Sequence, residues 1–314
     1  MPFNSNIDRT DAGALIPEDV AREIIQGVPE ASAVMRMARR LPNLTRAQQR
    51  MPVLSTLPSA YFVNGDSGLK QSTTMAWANK YLNVEEIAVY VPIPDAVLDD
   101  ADYNIWSEVR PRIVEAIGVK FDAAVLIGTD APASWPDDLV TACTAAGSTV
   151  SLAAFTDLYD AELGEGGVVS KVEEDGFMVN GHIADLTMKA KLRGLRDADG
   201  QPIFLQSMQQ AATSYTLDGS PIDFVRNGAM SAATALQISG DWSQLVYAIR
   251  QDLTWKVIDQ GVITDNAGQI IYNLPQQDMV ALRAVMRIAW QVPNPINRVN
   301  STEATRFPFA ALTA

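Results

Sequence analysis

Between Met51 and Pro94 the chain carries a long extended stretch with little apolar material of its own, and this limits what the whole can fold into. Pro52-Val53-Leu54 and Tyr61-Phe62-Val63 read as short strands, and Tyr81 to Val91 as a longer run rich in β-branched and aromatic residues. Between them lies the turn cluster Asn64-Gly65-Asp66-Ser67-Gly68, followed by polar residues to Lys80. The pattern predicts a long hairpin. A two-stranded hairpin alone is marginal in water. It must therefore lie on another surface, and a second copy of the same chain can supply one.

The segments on either side read as helices first and strands later. Pro2 to Ala14 is polar and aperiodic, an extended arm. Ile16-Pro17-Glu18-Asp19 opens a helix, with acids at its positive end and Val20, Ile24 and Ile25 as a stripe, and Gly27 ends it. A second short helix is expected over 31–40, closed by Pro42. After a turn or two of helix at 94–100, the longest helix runs to about Ile127, capped by Asp102 or Asn104. Trp106, Val109, Ile113, Ile117, Phe121 and Ala124 form its apolar face, with Pro111 as a kink.

Further along, Trp135-Pro136-Asp137-Asp138 starts a helix that holds Cys143 and stops at Gly147. Another helix is expected over 152–163, then a flexible link at Gly164–Gly167, a strand at Phe177–Val179, and a helix over 183–196 with Leu186, Leu192 and Leu195 inward. Asp197 to Gly200 reads as a turn. Residues 216–224 form a hairpin corner, and 245–249 with 255–258 a strand pair. A turn at Asp265-Asn266 follows, and Met279 to Gln291 is a strand ahead of Pro293. No internal repeat is present.

Composition removes several classes. The 314 residues hold 24 Lys and Arg against 37 Asp and Glu, a net charge of −13, and 47% are apolar. Such a chain has core enough to fold, which argues against disorder. It lacks the basic face of a nucleic-acid reader. No run approaches the ~20 apolar residues of a membrane span. The first six residues lack the basic and apolar regions of a secretory signal. One cysteine (Cys143) and one histidine (His182) leave no disulfide framework and little for a metal site. His182 is expected to cap a helix or sit as a satisfied polar group. No cofactor is expected, and the reading is of an intracellular protein whose purpose lies in its surfaces.

Gly65-Asp66-Ser67-Gly68 looks like the nucleophile segment of chymotrypsin-like proteases. Its only possible base, His182, follows the serine where that family places it before, so a hydrolase using Ser67 is the out-of-class alternative. Asp197-Ala198-Asp199-Gly200 lacks the closing Glu of a calcium loop, since Met208 stands there.

Several blocks carry a family resemblance: Gly13-Ala14-Leu15-Ile16-Pro17-Glu18; Val91-Pro92-Ile93-Pro94-Asp95 through Ile127-Gly128-Thr129-Asp130; Gly176-Phe177-Met178-Val179-Asn180 with Leu186, Leu192 and Arg193; Gly240-Asp241-Trp242-Ser243-Gln244; and Val280 to Gln291 with Pro293. In this order they resemble the major capsid protein of tailed double-stranded DNA bacteriophages, from about Gly13 to Val299. The resemblance implies an α+β Hong Kong 97-type fold. Its parts would be an N-terminal arm (1–52), an extended β-hairpin loop over a neighbour (53–90), a peripheral domain with a spine helix (91–130), an axial domain (131–275), and closing peripheral strands (276–314).

It also implies self-assembly into pentamers and hexamers of an icosahedral head around packaged DNA, in the virion and, during assembly, the host cytoplasm. Scaffolding, portal and decoration proteins would be partners. An encapsulin-like compartment for enzyme cargo is the alternative within the fold. Arg36, Arg39, Arg40, Arg46 and Arg50 give a local +5 with no acid from 31 to 50, and are expected to meet acidic surface on a neighbour. Tyr61, Phe62, Lys70, Trp77 and Lys80 are further contact candidates. Some family members link a loop lysine to an asparagine with a buried glutamate as base. Lys70, Lys80, Asn294, Asn297 and Glu303 are the candidates here, but no motif fixes the correspondence, and non-covalent stabilisation is expected.

Overall fold

The computed structural model describes residues 32–63, 68–100, 105–196, 215–265 and 267–314. The expected helix at 16–27, Ser67, the caps Asp102 and Asn104, and the turn at 197–200 lie outside the described residues.

Ser32 caps α1 (Ala33–Met37) by accepting from the Met35 amide, and β1 (Arg39–Arg40) follows. The helix expected to reach Arg40 thus stops early, because Arg39 and Leu41 donate to the carbonyls of Leu245 and Tyr247 rather than to a further helical turn. β2 (Gln48–Thr56) and β3 (Ala76–Asn83) pair antiparallel, with Arg50 opposite Tyr81 and Leu54 opposite Trp77. Tyr61-Phe62-Val63 is irregular, not the expected strand. The Tyr61 hydroxyl accepts from the Gln71 amide and donates to the Gln71 carbonyl, closing the loop by side chain in place of a ladder.

Val84 interrupts the expected run to Val91, and β4 (Glu85–Pro94) enters a different sheet. α2 (Asp95–Asp100) and α3 (Ile105–Ile127) come next, Pro111 lying inside α3. Asp138 caps α4 (Leu139–Ala146) through the Thr141 amide at 3.0 Å. Gly147 ends it at φ 80°, a left-handed conformation that suits glycine.

After β5 (Thr149–Ser151), the single helix expected over 152–163 is divided into a 3-10 turn at Leu152–Ala154 and α5 (Leu158–Leu163). Gly164 and Gly167 are not a loose link. A Cβ on either would stand 2.6–2.8 Å from the Asp160 carbonyl, so the chain turns tightly here into α6 (Val168–Glu174), which sequence reading missed. β6 (Gly181–Asp185) lies four residues beyond the strand expected at Phe177. It holds His182, so His182 caps no helix. Its first four residues are all buried, and so short a buried run shows no period that separates strand from helix. α7 (Leu186–Gly194) therefore starts late, burying Met188 and Leu192 and leaving Leu186 exposed.

β7 (Tyr215–Leu217) and β8 (Ser220–Val225) make the expected corner, and β9 (Gln237–Gly240) follows. β10 (Val246–Ile258) is one strand of 13 residues where a pair was expected; register shifts around Gln251 absorb its polar middle. β11 (Val262–Thr264) and β12 (Ile270–Asn273) flank the expected turn. β13 (Met279–Gln291) matches its expected range, and β14 (Phe309–Thr313) ends the described chain.

Two sheets organise the whole: a four-stranded one in the order β1-β10-β13-β4 and a six-stranded one in the order β5-β14-β9-β6-β8-β7. α3 packs Ile113, Ile117, Phe121 and Val125 into one core with Leu282, Met286, Ile288 and Trp290 of β13. Trp135 bridges its ends, edge-on to Phe121 and Trp290 at 6.0 and 6.4 Å. A second core forms on the six-stranded sheet from Val168, Val172, Met188, Leu192, Phe224 and Leu312. The range 276–314, expected as one closing unit, is shared: β13 lies in the first sheet and β14 in the second.

Candidate assembly interface

The hairpin is short of core, as its sequence demands. Of its strand residues, only Val53 and Leu82 are buried. Its base is held by the closing segment of the chain. Gln291 Nε2 donates to the Tyr81 carbonyl at 3.1 Å, the Ile296 amide to the Leu54 carbonyl at 3.2 Å, and Arg298 to the Pro58 carbonyl at 2.7 Å. Beyond this collar large apolar side chains stand exposed among polar ones: Phe62 is fully exposed, Leu69 nearly so, and Trp77, Tyr61, Met75 and Tyr81 are also exposed. Lys70 lies in the same exposed loop. Sequence reading named Tyr61, Phe62 and Trp77 but missed Leu69 and Met75. It also missed a second exposed apolar patch on β11 and β12, formed by Val262, Ile270 and Ile271, although the Ile-Ile-Tyr run in a short hairpin was a visible signal.

The five arginines share a stretch of sequence but not one surface. Arg36 pairs with Asp223 of its own chain, on the six-stranded sheet. Arg39 and Arg40 run along the free edge of the four-stranded sheet, Arg40 donating to Asn43 at 3.2 Å. Arg46 and Arg50 are exposed at and on β2. What docks the arm is a carboxylate that sequence reading passed over. Asp122, buried on α3, accepts from the Ser32 hydroxyl, from the Ala33 amide at 2.8 Å and from the Val34 amide at 3.3 Å, while Gly118 gives Ser32 room to approach. Burial raises the Asp122 pKa, and these donors pull it back down. Its signal was a lone acid on an apolar helical face.

The cross-link candidates are partly brought together. Lys80 Nζ lies 2.7 Å from Glu303, in a depression that Asn294 and Arg306 also line. Glu303 is 57% exposed, and the hydrogen bond and charge of Lys80 lower its pKa. A carboxylate held ionised is a poor general base. Both asparagines are occupied. Asn294 accepts from Arg306 Nε at 3.1 Å and donates to the Arg306 carbonyl at 2.6 Å; Asn297 donates to the Asp175 carbonyl at 2.6 Å. Within one subunit these groups tie the closing segment to the core.

His182 is sealed in the six-stranded sheet, its Nδ1 2.8 Å from the Ser239 hydroxyl. Gln237 Nε2 donates to that hydroxyl at 3.0 Å and to Glu162 at 2.8 Å, completing a buried polar row. Cys143 is buried too, its thiol donating to the Phe309 carbonyl at 3.3 Å and its pKa pushed up by burial. Among the described residues no group of three His, Cys, Asp or Glu could hold a metal ion.

An arm pinned to a spine helix, a projecting hairpin, and two sheets with separate cores define the Hong Kong 97-type class of shell proteins. Residues 12–297 match the profile of the Phage capsid family, and the chain belongs to that family. The major capsid protein of Staphylococcus phage 80alpha is 23% identical over 295 residues, covering 93% of this chain and 85% of the relative. A solved chain from Microbacterium phage Oxtober96 is 33% identical with a TM-score of 0.84, covering 98% of this chain and 99% of that one. One from Mycobacterium phage Cain is 30% identical with a TM-score of 0.82, covering 98% of each. The chain is a structural component of the virion shell.

Proposed function

We propose that this chain is the major capsid subunit that closes with copies of itself into pentamers and hexamers of an icosahedral head around double-stranded DNA. The observation that carries this reading is the hairpin: anchored at its base, with Phe62, Leu69 and Trp77 exposed beyond it, it has the surface that burial against a neighbour would cover. Burying Phe62, Leu69 and Trp77 contributes about 1.5–3 kcal/mol each. Residues 53–90 would lie over the next subunit, with the six-stranded sheet near the symmetry axes. Scaffolding and portal proteins would assist in the host cytoplasm, and decoration proteins would join the finished shell. The subunit would have no turnover chemistry, and its shell would be held without covalent links. Arg39 and Arg40, on a free sheet edge, would meet acids across an interface.

Phe62→Ser with Trp77→Ser should abolish shells in negative-stain electron microscopy while leaving the unfolding midpoint of the free subunit unchanged. Shells at wild-type yield would sink the reading. Arg39→Glu with Arg40→Glu should make the particles dissociate at lower salt; unchanged salt tolerance removes that pairing.

A further inference from the structure

Arg36, Met37 and Arg39 line a groove of about 730 Å³ together with Tyr215 and Ile222 of β7 and β8 and with Trp242, which follows β9. A second hollow shares Arg36, Tyr215, Ile222 and Asp223 and continues past Lys189, Phe224 and Arg226. Lys189 Nζ stands 4.3 Å from the centre of the Tyr215 ring, so a cation sits directly on the aromatic floor. Four cations (Arg36, Arg39, Lys189 and Arg226) border these hollows, against one carboxylate, Asp223, with which Arg36 is paired. In a chain of net −13 this is an apolar groove with a positive rim.

The same chain supplies a matching segment. Residues 1–31 lie outside the described part and join it at Ser32, about 6 Å along the α1 axis from Arg36. They hold six acids (Asp8, Asp11, Glu18, Asp19, Glu23 and Glu30) against two arginines (Arg9 and Arg22). The stripe of Val20, Ile24 and Ile25 falls within the helix predicted to end at Gly27. From Gly27 to Ser32 the tether spans at most about 17 Å. So short a tether gives the segment a high effective concentration at nearby sites on its own subunit.

We propose that the acidic, amphipathic stretch 17–27 docks in this groove of its own subunit. Its apolar stripe lies on the Tyr215 floor, and its carboxylates lie beside Lys189 and Arg226. The arm would then hold its place from two points, the Asp122 clamp and this groove.

A photo-crosslinking benzoyl-phenylalanine in place of Tyr215 tests this in the full chain, and a second probe at exposed Pro221 guards against a folding defect at the first. Light and isotopically heavy chains are mixed before assembly, and linked peptides are mapped by mass spectrometry. The expected result is links to 17–27 within light or within heavy chains. Glu18→Lys, Asp19→Lys and Glu23→Lys together should lower their yield about fivefold. Light-to-heavy links would overturn the proposal in favour of a second copy. Links confined to 197–214, links to co-purified nucleic acid, or no links from either probe would each overturn it as well.

Discussion

Two buried carboxylates set the residue scale, and they act differently. Asp122 ends no helix of its own. It serves the first turn of α1 from across the core, doing what a cap does locally. Asp122→Ala leaves those donors buried without an acceptor and should cost about 2 kcal/mol. For a chain of 314 residues that lowers the unfolding midpoint by about 3 °C. Proteolysis after Arg36 and Arg39 should speed up; cutting at the wild-type rate would show that the clamp does not hold the arm.

Glu162 and His182 share the polar row inside the six-stranded sheet. Burial pushes Glu162 up to about 8 against the pull of Gln237. Burial lowers His182 to about 4, with the Leu217 backbone and the Asp218 charge opposing. A raised folded pKa gives stability that is complete below about 4.5 and is lost as pH rises through 8. A lowered one gives stability that is complete above about 6.5 and is lost as pH falls through 4. Between pH 5 and 6.5 the two slopes oppose each other, so chemical denaturation from pH 5 to 9 should show stability declining in the wild type from about 6.5 to 8. Glu162→Gln, which mimics the neutral acid, should flatten that decline, and an unchanged slope would refute the assignment. Neither residue was legible in this role, because a polar row within one sheet comes from strands far apart in sequence: Gly181–Asp185 and Gln237–Gly240, with α5 laid alongside.

At the scale of elements, legibility followed the range of the interactions. α3 was readable because its stripe is local and long, and α4 because Asp138 and Gly147 mark both ends. β13 was readable from Val285, Ile288 and Trp290 ahead of Pro293. At Gly181–Asp185, too short and too uniformly buried to show a period, the last three residues were read as the start of a helix. The hairpin was legible as an element, and its want of core signalled a partner; the collar that holds its base was not, since Gln291, Ile296 and Arg298 lie more than 200 residues from it. The Lys80–Glu303 pair belongs to that collar. Both ends are partly exposed, so its loss should cost under ~1 kcal/mol. With Lys80 paired to Glu303 and both asparagines engaged, particles boiled in detergent should run as a single 34.1 kDa band. A ladder of larger species would contradict this.

For the whole molecule, the charge of −13 takes a different meaning once the subunit is part of a wall. Cations are few, and several are spent inside the chain: Arg36 on Asp223, Lys80 on Glu303, Arg287 on Glu86. A shell of such subunits would repel a polyanion and leave it free to be spooled in. Duplex DNA should show no mobility shift with the purified subunit even at ~50 mM salt, where a protein making many phosphate contacts binds tightly. A salt-dependent shift would overturn this.

The last described strand has a consequence in time. β14 lies between β5 and β9, parallel to the first and antiparallel to the second, and its Phe309 to Leu312 are wholly buried. The slot it fills exists long before it does. At roughly 5–20 residues per second of synthesis, β5 waits about 8–32 s for its neighbour, with an unpaired edge beside it. The six-stranded sheet therefore cannot close around a partial chain. A chain without β14 leaves β5 and β9 facing an open slot and the second core without Ala310 and Leu312.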